Sequence, residues 1–255
     1  MDSALALALL LTSLAGLATG LGGVLVVLLR NPPPGVLGAG LGLSGGMMVY
    51  VAFMELLPSG AAMVGEPLGG PWTVTAFFAG MGVSAAIDWL VPEQDNPHDA
   101  VVGDQPALRR TGILAAIAIT IHNFPEGIAT FYSAMHDPTV GLSVGLAVAL
   151  HNVPEGIAVA LPLHRATGSR RKALAWATLS GLAEPLGAGL GYLLVGHALG
   201  EAGVGLVLAT VAGIMVFLAL DQLLPNAKRY GSGHESVYGL LGGMLLMALT
   251  LAWAQ

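Results

Sequence analysis

Residues 122–127 read His-Asn-Phe-Pro-Glu-Gly, and residues 151–156 read His-Asn-Val-Pro-Glu-Gly, each inside an otherwise apolar run. Positions four apart in an α-helix share a face, so His122 with Glu126, and His151 with Glu155, each present an imidazole and a carboxylate on one side. Ionisable groups are rare in apolar segments and are usually functional there. The two stretches therefore predict a polar site between two helices.

Each stretch also carries a proline that removes a helix hydrogen bond. Pro125 has no N–H for the carbonyl of Ile121, and Pro154 has none for the carbonyl of Leu150. Unpaired backbone at membrane depth is tolerated only where it is buried in protein or lines a wet cavity. We therefore predict that both helices are broken at these prolines, around a polar cavity.

The donor groups of the two stretches suit a divalent metal ion, because imidazole and carboxylate together bind first-row ions such as Zn²⁺, Mn²⁺ and Fe²⁺. Asn123 and Asn152 lie about 100° around the helix from their histidines and reach the same interior. The alternative is a pair of neutral His–Glu hydrogen bonds that join two helices. Two copies, each with proline and glycine, favour the metal site.

The composition is that of an integral membrane protein. Of the 255 residues, 55% are hydrophobic and 9% are charged, and the mean hydropathy is +0.78, whereas soluble domains carry about 25% charged residues. The 37 glycines favour close helix contacts in lipid. The chain has no cysteine, which excludes thiolate ligands. Its nine Lys and Arg residues are scattered over short loops, so nothing supports nucleic-acid binding.

Eight apolar runs are long enough to cross a lipid bilayer, which takes about 20 helical residues. They are residues 4–29, 35–57, 72–91, 111–135, 139–163, 172–197, 203–224 and 237–254. All nine basic residues follow the first, third, fifth or seventh run. Because cytoplasmic loops are rich in Lys and Arg, both termini are expected outside the cytoplasm and the longest loop, residues 92–110, inside. The N-terminus lacks the basic residues of a secretory signal, so we expect the first run to be retained.

A second pair of similar sequences indicates an inverted repeat. Residues 46–58 begin Gly-Met-Met-Val and end Leu-Leu-Pro, and residues 213–225 begin Gly-Ile-Met-Val and end Leu-Leu-Pro. By the predicted orientation, these two helices run in opposite directions, as in transporters whose inverted repeats flank a midplane site. We predict an all-α, single-domain membrane protein over residues 1–255, with helices 1–3 and 6–8 around central helices 4–5. Chance similarity among small and apolar residues is the alternative.

Further polar groups lie within the apolar runs. Glu184 is either a third acidic ligand or a protonated carboxyl bonded to a neighbouring helix. Met48 has a soft sulfur, although methionine in an apolar helix is usually core filler. Glu55 is either an acid at the entrance to the predicted metal site or a charge at the membrane interface. One histidine and two aspartates of the 92–110 loop could hold a metal weakly.

Four motifs resemble those of the ZIP family of metal-ion transporters, most of all its bacterial branch. They are Gly-Met-Met with Glu-Leu-Leu-Pro (46–58), His-Asn-Phe-Pro-Glu-Gly-Ile-Ala-Thr-Phe (122–131), Ala-Leu-His-Asn-Val-Pro-Glu-Gly (149–156) and Ser-Gly-Leu-Ala-Glu-Pro-Leu-Gly (180–187). The resemblance covers nearly the whole chain. It implies eight transmembrane helices in a 3+2+3 arrangement and transport of divalent metal across the cell membrane into the cytoplasm. With the glycine content, it also favours a homodimer.

The resemblance further implies a two-metal site. One metal would meet Met48, His122, Glu126, His151 and Glu155. The second would meet Asn123, Glu126, Asn152, Glu155 and Glu184, so that Glu126 and Glu155 bridge the two ions.

We therefore expect a transporter, not an enzyme, that moves Zn²⁺ as cargo, with Fe²⁺, Mn²⁺, Co²⁺ or Cd²⁺ as further cargo and no prosthetic group. Two other classes stay open: an intramembrane metal-dependent hydrolase and a divalent-cation channel. Zinc proteases use H-E-x-x-H, in which the glutamate is the base, and this sequence has no such motif. Inverted repeats favour alternating access by a carrier over a channel, by analogy.

Overall fold

The computed structural model of the chain describes residues 3–29, 34–90, 105–194, 200–230 and 233–254, and these residues contain no β-strand. The α-helices are α1 (Ser3–Leu29), α2 (Pro34–Val51), α3 (Leu57–Val64), α4 (Pro71–Leu90), α5 (Gln105–His136), α6 (Pro138–Thr167), α7 (Arg170–Gly181), α8 (Ala183–Leu194), α9 (Gly200–Leu218), α10 (Leu224–Tyr230) and α11 (Glu235–Ala254). The described part of each of the eight predicted apolar runs falls on one of these helices or on consecutive helices.

Five helical segments of the described chain are long and apolar enough to cross a membrane. They are Ser3–Leu28, Gly38–Val64, Pro138–Thr167, Gly200–Arg229 and Glu235–Ala252. Large apolar side chains are exposed along them, among them Leu14, Leu21, Leu142, Leu245 and Leu249. Lipid is the solvent that accepts such surfaces without cost. The chain is thus an all-helical, multi-pass membrane protein.

Two of the long helical segments deviate from α-helix at equivalent places. Ala52–Leu56, between α2 and α3, and Ala219–Leu223, between α9 and α10, are π-helical turns. Each is closed by a backbone hydrogen bond whose donor immediately precedes a proline, Pro58 in the first and Pro225 in the second. A wider turn before the proline accommodates a ring that has no N–H to donate. The two copies of the predicted repeat therefore share a local distortion as well as a sequence.

Close backbone contacts also recur in both halves of the chain. Gly156 of α6 lies against the carbonyl of Thr19 on α1, and Gly127 of α5 lies against the carbonyl of Glu184 on α8. A methyl group built on Gly156 would stand 1.9 Å from the first carbonyl oxygen, and one on Gly127 would stand 2.1 Å from the second. Only glycine allows helices to approach this closely.

The helices pack as two bundles. The first contains α1, α5, α6, α7 and α8, and the second contains α2, α3, α4, α9, α10 and α11. The second bundle is also joined through glycine: Gly46 lies against the carbonyl of Leu240, and Gly213 lies against the carbonyl of Phe77. The two bundles meet chiefly where α2 passes α6.

The prediction that the central helices break at their prolines is wrong. α5 and α6 stay helical through Pro125 and Pro154. Each proline removes one helix hydrogen bond, that of the carbonyl of Ile121 or of Leu150, and helices in membranes tolerate such a loss where other helices pack against the turn. Helix α2 packs against the turn at Pro154, where the hydroxyl of Ser44 donates to the carbonyl of His151, the residue after Leu150, at 3.2 Å. The α-helix is interrupted instead at Leu182, between α7 and α8.

Helix α6 begins at a side-chain cap. Asp137 has an extended backbone, and its carboxylate accepts hydrogen bonds from the N–H groups of Thr139 at 2.7 Å and Val140 at 3.4 Å. These bonds hold the pKa of the Asp137 carboxyl below its ordinary value, and the bond from Thr139 has the largest effect. The cap fixes where the helix that carries His151 starts.

We expect Gly156→Ala to destabilise the protein, because the added methyl group overpacks against the Thr19 carbonyl. Overpacking of this kind typically costs about 1–3 kcal/mol. Gly189→Ala on α8 is the matched control, since no described residue beyond its own helical turn lies within 4 Å of the methyl position there, and it should be neutral or slightly stabilising. Thermal unfolding in detergent measures both variants. An unchanged melting temperature for Gly156→Ala would contradict the close contact.

We expect Asp137→Ala to lower the melting temperature at pH 7, because α6 loses its cap. Folding lowers the pKa of this carboxyl, so its stabilisation is complete above the ordinary value of 3.8 and is lost as pH falls through the lower folded value. The gap between wild type and Asp137→Ala should therefore shrink below about pH 4. Asp137→Asn keeps a capping acceptor but does not titrate, so the difference in melting temperature between Asp137→Asn and Asp137→Ala should not change with pH. A wild-type gap that stays constant on acidification would refute the role of the charge.

Candidate metal site

Six polar side chains are buried together in the first bundle. They come from α5, α6 and α8, and each is at most 1% exposed: Asn123, Glu126, His151, Asn152, Glu155 and Glu184. Burial of so many polar groups costs free energy unless they are paired or bind an ion. The hydrogen-bond and ion-pair partners of these side chains therefore indicate what the site can bind.

One contact joins the two motifs directly. Nε2 of His151 lies 2.8 Å from Oε1 of Glu126. Nδ1 of the same ring lies 3.1 Å from the carbonyl oxygen of Ala147, so this nitrogen is placed to carry a proton and donate it. Nε2 and the carboxylate oxygen are then both acceptors, and a proton between them holds the pair together. A metal ion that replaced this proton would bind both groups.

Asn152 connects three helices of the bundle. Its Nδ2 donates to the carbonyl of Ala15 on α1 at 2.9 Å and, through a short hydrogen bond, to Oε1 of Glu184 on α8. Asn123 makes the corresponding bond on the other side, where its Nδ2 donates to the carbonyl of Ser180 on α7 at 3.2 Å. Because both amide nitrogens are used in this way, both amide oxygens remain as acceptors.

Three buried oxygens around these bonds have no hydrogen-bond donor among the described residues. They are Oδ1 of Asn123, Oδ1 of Asn152 and Oε2 of Glu184. Folded proteins seldom leave buried acceptors without a partner. The carboxyl of Glu184 also interacts electrostatically with those of Glu126 and Glu155. A cation would satisfy the acceptors and offset the clustered negative charge, and oxygen with imidazole suits divalent metals.

Met48 approaches the region from the second bundle. Its side chain is fully buried, in a core that includes Ala147 and Val148 of α6. Ser44, one turn earlier on α2, donates to the carbonyl of His151, so α2 passes beside this histidine. Ser44 was not predicted, because a serine in an apolar run looks like any other small residue of a helix interface.

The predicted ligand set is only partly described. The side chain of His122 lies outside the described residues, as do residues 92–104 with their predicted weak metal site. In the side chains that are described, no three His, Asp or Glu groups converge closely enough to hold a metal ion. Glu55 is half-buried and accepts a hydrogen bond from Ser59 at 3.3 Å. The two-metal ligand set therefore stays a prediction.

We expect Asn152→Ala to be more destabilising than Asn123→Ala, because Nδ2 of Asn152 serves two acceptors and that of Asn123 serves one. Removing a donor from a buried acceptor costs about 1–3 kcal/mol, and the first change also takes the donor from Glu184. Thermal unfolding in detergent measures the order of the two variants. Asn226→Ala, which removes an exposed bond to the carbonyl of Gln222, is the control. A lower melting temperature for Asn123→Ala than for Asn152→Ala would show that the bonds donated by Asn152 contribute little to stability.

Known proteins resemble this chain over nearly its full length. The family model for the ZIP Zinc transporter matches residues 91–251. The Zinc transporter ZupT of Corynebacterium aurimucosum is 50% identical over 97% of both chains. That of Corynebacterium efficiens is 54% identical over 94% of both, and that of Corynebacterium glutamicum is 52% identical over 94% of this chain and 96% of its own. With a family match over more than half of its length and relatives at this identity, the chain belongs to the ZIP family of zinc transporters, whose members are transporters and not enzymes.

Proposed function

We propose that this protein takes up Zn²⁺ into the cytoplasm, with Fe²⁺, Mn²⁺, Co²⁺ and Cd²⁺ as further cargo. The observation that carries the proposal is the buried pair of His151 and Glu126, which brings a nitrogen and an oxygen ligand from two helices within 2.8 Å. The ZupT relatives, each named a zinc transporter, support zinc as cargo. The wider range follows from the ligand chemistry, because imidazole and carboxylate bind several first-row ions.

The cargo site has two adjoining positions. Met48, His122, Glu126, His151 and Glu155 hold an ion at the first. Asn123, Glu126, Asn152, Glu155 and Glu184 hold an ion at the second. The His151–Glu126 contact supports the first position, and the three buried oxygens of Asn123, Asn152 and Glu184 support the second.

Protons and metal compete for this site. Imidazole and carboxylate bind metal only when deprotonated, so an arriving ion displaces the proton shared by His151 and Glu126. A dication loses its hydration shell at great cost in lipid, and the oxygen and nitrogen ligands replace that shell. Binding must still be weak enough for release. Neutral amides beside shared carboxylates, without thiolate, fit that requirement.

The architecture of the proposal is one transporter domain of eight transmembrane helices, 3+2+3, with both termini outside the cytoplasm. The paired π turns and the paired glycine contacts support an inverted repeat. Nearly all proposed ligands lie in the first bundle, and Met48 lies in the second. Movement of one bundle against the other where α2 passes α6 would open the site to each side in turn, as inverted repeats permit. Resemblance to the family supports a homodimer in the cell membrane.

We expect Glu126→Ala and Glu155→Ala each to abolish Zn²⁺ uptake into reconstituted vesicles, because each removes a carboxylate common to both positions. Glu201→Ala, at an exposed acid in the first turn of α9, is the control and should transport like wild type. Size-exclusion profiles check that all variants fold. Wild-type uptake rates in both site variants would overturn the ligand assignment, and single-channel currents would overturn the carrier mechanism.

A further inference from the structure

Thr19 on α1 carries a buried hydroxyl that the proposed mechanism does not use. Its side chain is fully buried, and Oγ1 has no hydrogen-bond partner among the described residues. A threonine within a helix commonly bonds to the carbonyl four residues earlier. Thr12, also on α1 and also fully buried, does so and donates to Ala8 at 2.7 Å. The hydroxyl of Thr19 therefore differs from its neighbour on the same helix.

The surroundings of Thr19 give the reason. The carbonyl that it would bond to is that of Ala15, which already accepts the amide of Asn152 at 2.9 Å. The side chain lies on Gly181 instead, where a methyl group would stand 2.9 Å from the Cβ of Thr19. The carbonyl of the preceding residue, Ser180, accepts the amide of Asn123. Thr19 and Asn123 thus contact the same turn at the end of α7, and each contributes an oxygen that has no hydrogen-bond partner in the described part of the chain.

The repeated contacts give Thr19 a counterpart in the other half of the chain. Gly156 lies on the carbonyl of Thr19 as Gly127 lies on the carbonyl of Glu184. The two asparagines repeat this relation. Asn152 donates to the carbonyl four residues before Thr19, on α1, and Asn123 donates to the carbonyl four residues before Glu184, on α7. Thr19 therefore occupies on α1 the place that Glu184 occupies on α8. A hydroxyl stands where the other half has a carboxylate.

We propose that Thr19 is a further cargo-binding residue, whose hydroxyl oxygen binds the divalent cation from α1, directly or through one water, opposite Glu184. This inference rests on the proposed transport function. It accounts for a fully buried hydroxyl that has given up its usual helix bond. A neutral ligand at this place also adds an oxygen to the site without adding charge, which favours release of the ion.

The first experiment replaces the hydroxyl at nearly constant volume. Thr19→Val should raise the KM for Zn²⁺ uptake in reconstituted vesicles, and the Kd for Zn²⁺ of the purified protein in detergent, by about three- to tenfold, the effect of one lost hydrogen-bond-sized contact. Thr19→Ser keeps the hydroxyl and should stay within about twofold of wild type. Thr12→Val is the matched control, because it removes a buried hydroxyl of α1 whose hydrogen bond goes to the carbonyl of Ala8 in the same helix. Equal defects in Thr19→Val and Thr19→Ser, or none in either, would overturn the proposal.

A second experiment tests contact with the ion and does not depend on the valine variant folding. The chain contains no cysteine, so Thr19→Cys introduces one soft sulfur ligand. Addition of Cd²⁺ to the purified variant should produce thiolate-to-Cd²⁺ charge-transfer absorption, and Thr12→Cys should produce none. No absorption from Thr19→Cys, while wild type takes up Zn²⁺, would overturn the role of Thr19 and leave the proposed function standing. Failure of wild type to take up Zn²⁺ would overturn the proposed function itself.

Discussion

Glycine brings the helices of the first bundle within hydrogen-bonding reach of one another. Gly156 against the carbonyl of Thr19, and Gly127 against that of Glu184, leave no room for any side chain. No hydrophobic force draws helices together in lipid, so association depends on van der Waals contact and on interhelical hydrogen bonds. At this separation the short amide of Asn152 reaches the backbone of α1. A methyl group at either glycine would move the helices apart, and the bonds that orient the site would lengthen with them.

The site that these contacts enclose has more acceptors than donors. Asn123 and Asn152 give their N–H groups to backbone carbonyls, and the carboxyl of Glu184 interacts electrostatically with those of Glu126 and Glu155. Such a site is unstable with all its carboxyls charged, because buried charge without a counter-ion is costly. Protons and metal ions are therefore alternative ways to neutralise the same side chains. The linkage between metal binding and proton release in the proposed mechanism follows from this excess of acceptors.

The sequence allowed the helices to be predicted, and it singled out six polar residues that the structure buries together, because apolar length and ionisable residues in apolar runs are strong signals. The role of these residues as metal ligands stays a prediction. The repeat was visible in a short match, and the structure adds π turns at the same positions in both copies. The expected breaks at Pro125 and Pro154 were wrong, because the sequence does not show which neighbouring helix will stabilise a loosened turn. Ser44 and Thr19 were missed for a related reason: an uncharged hydroxyl gains a role only through the helix that packs against it.

The paired π turns also set the rotation of the helices that follow them. A π turn holds one residue more than the α-helical turn it replaces, and one residue corresponds to about 100° of rotation. Without the turn at residues 52–56, α3 would present a different face to α9, and Gly60 would leave its contact with the backbone of Gly205. The inserted residue therefore rotates α3 relative to α2. This rotation lets the first half of the span, α2, pack against α11 and α6 while its second half, α3, packs against α9.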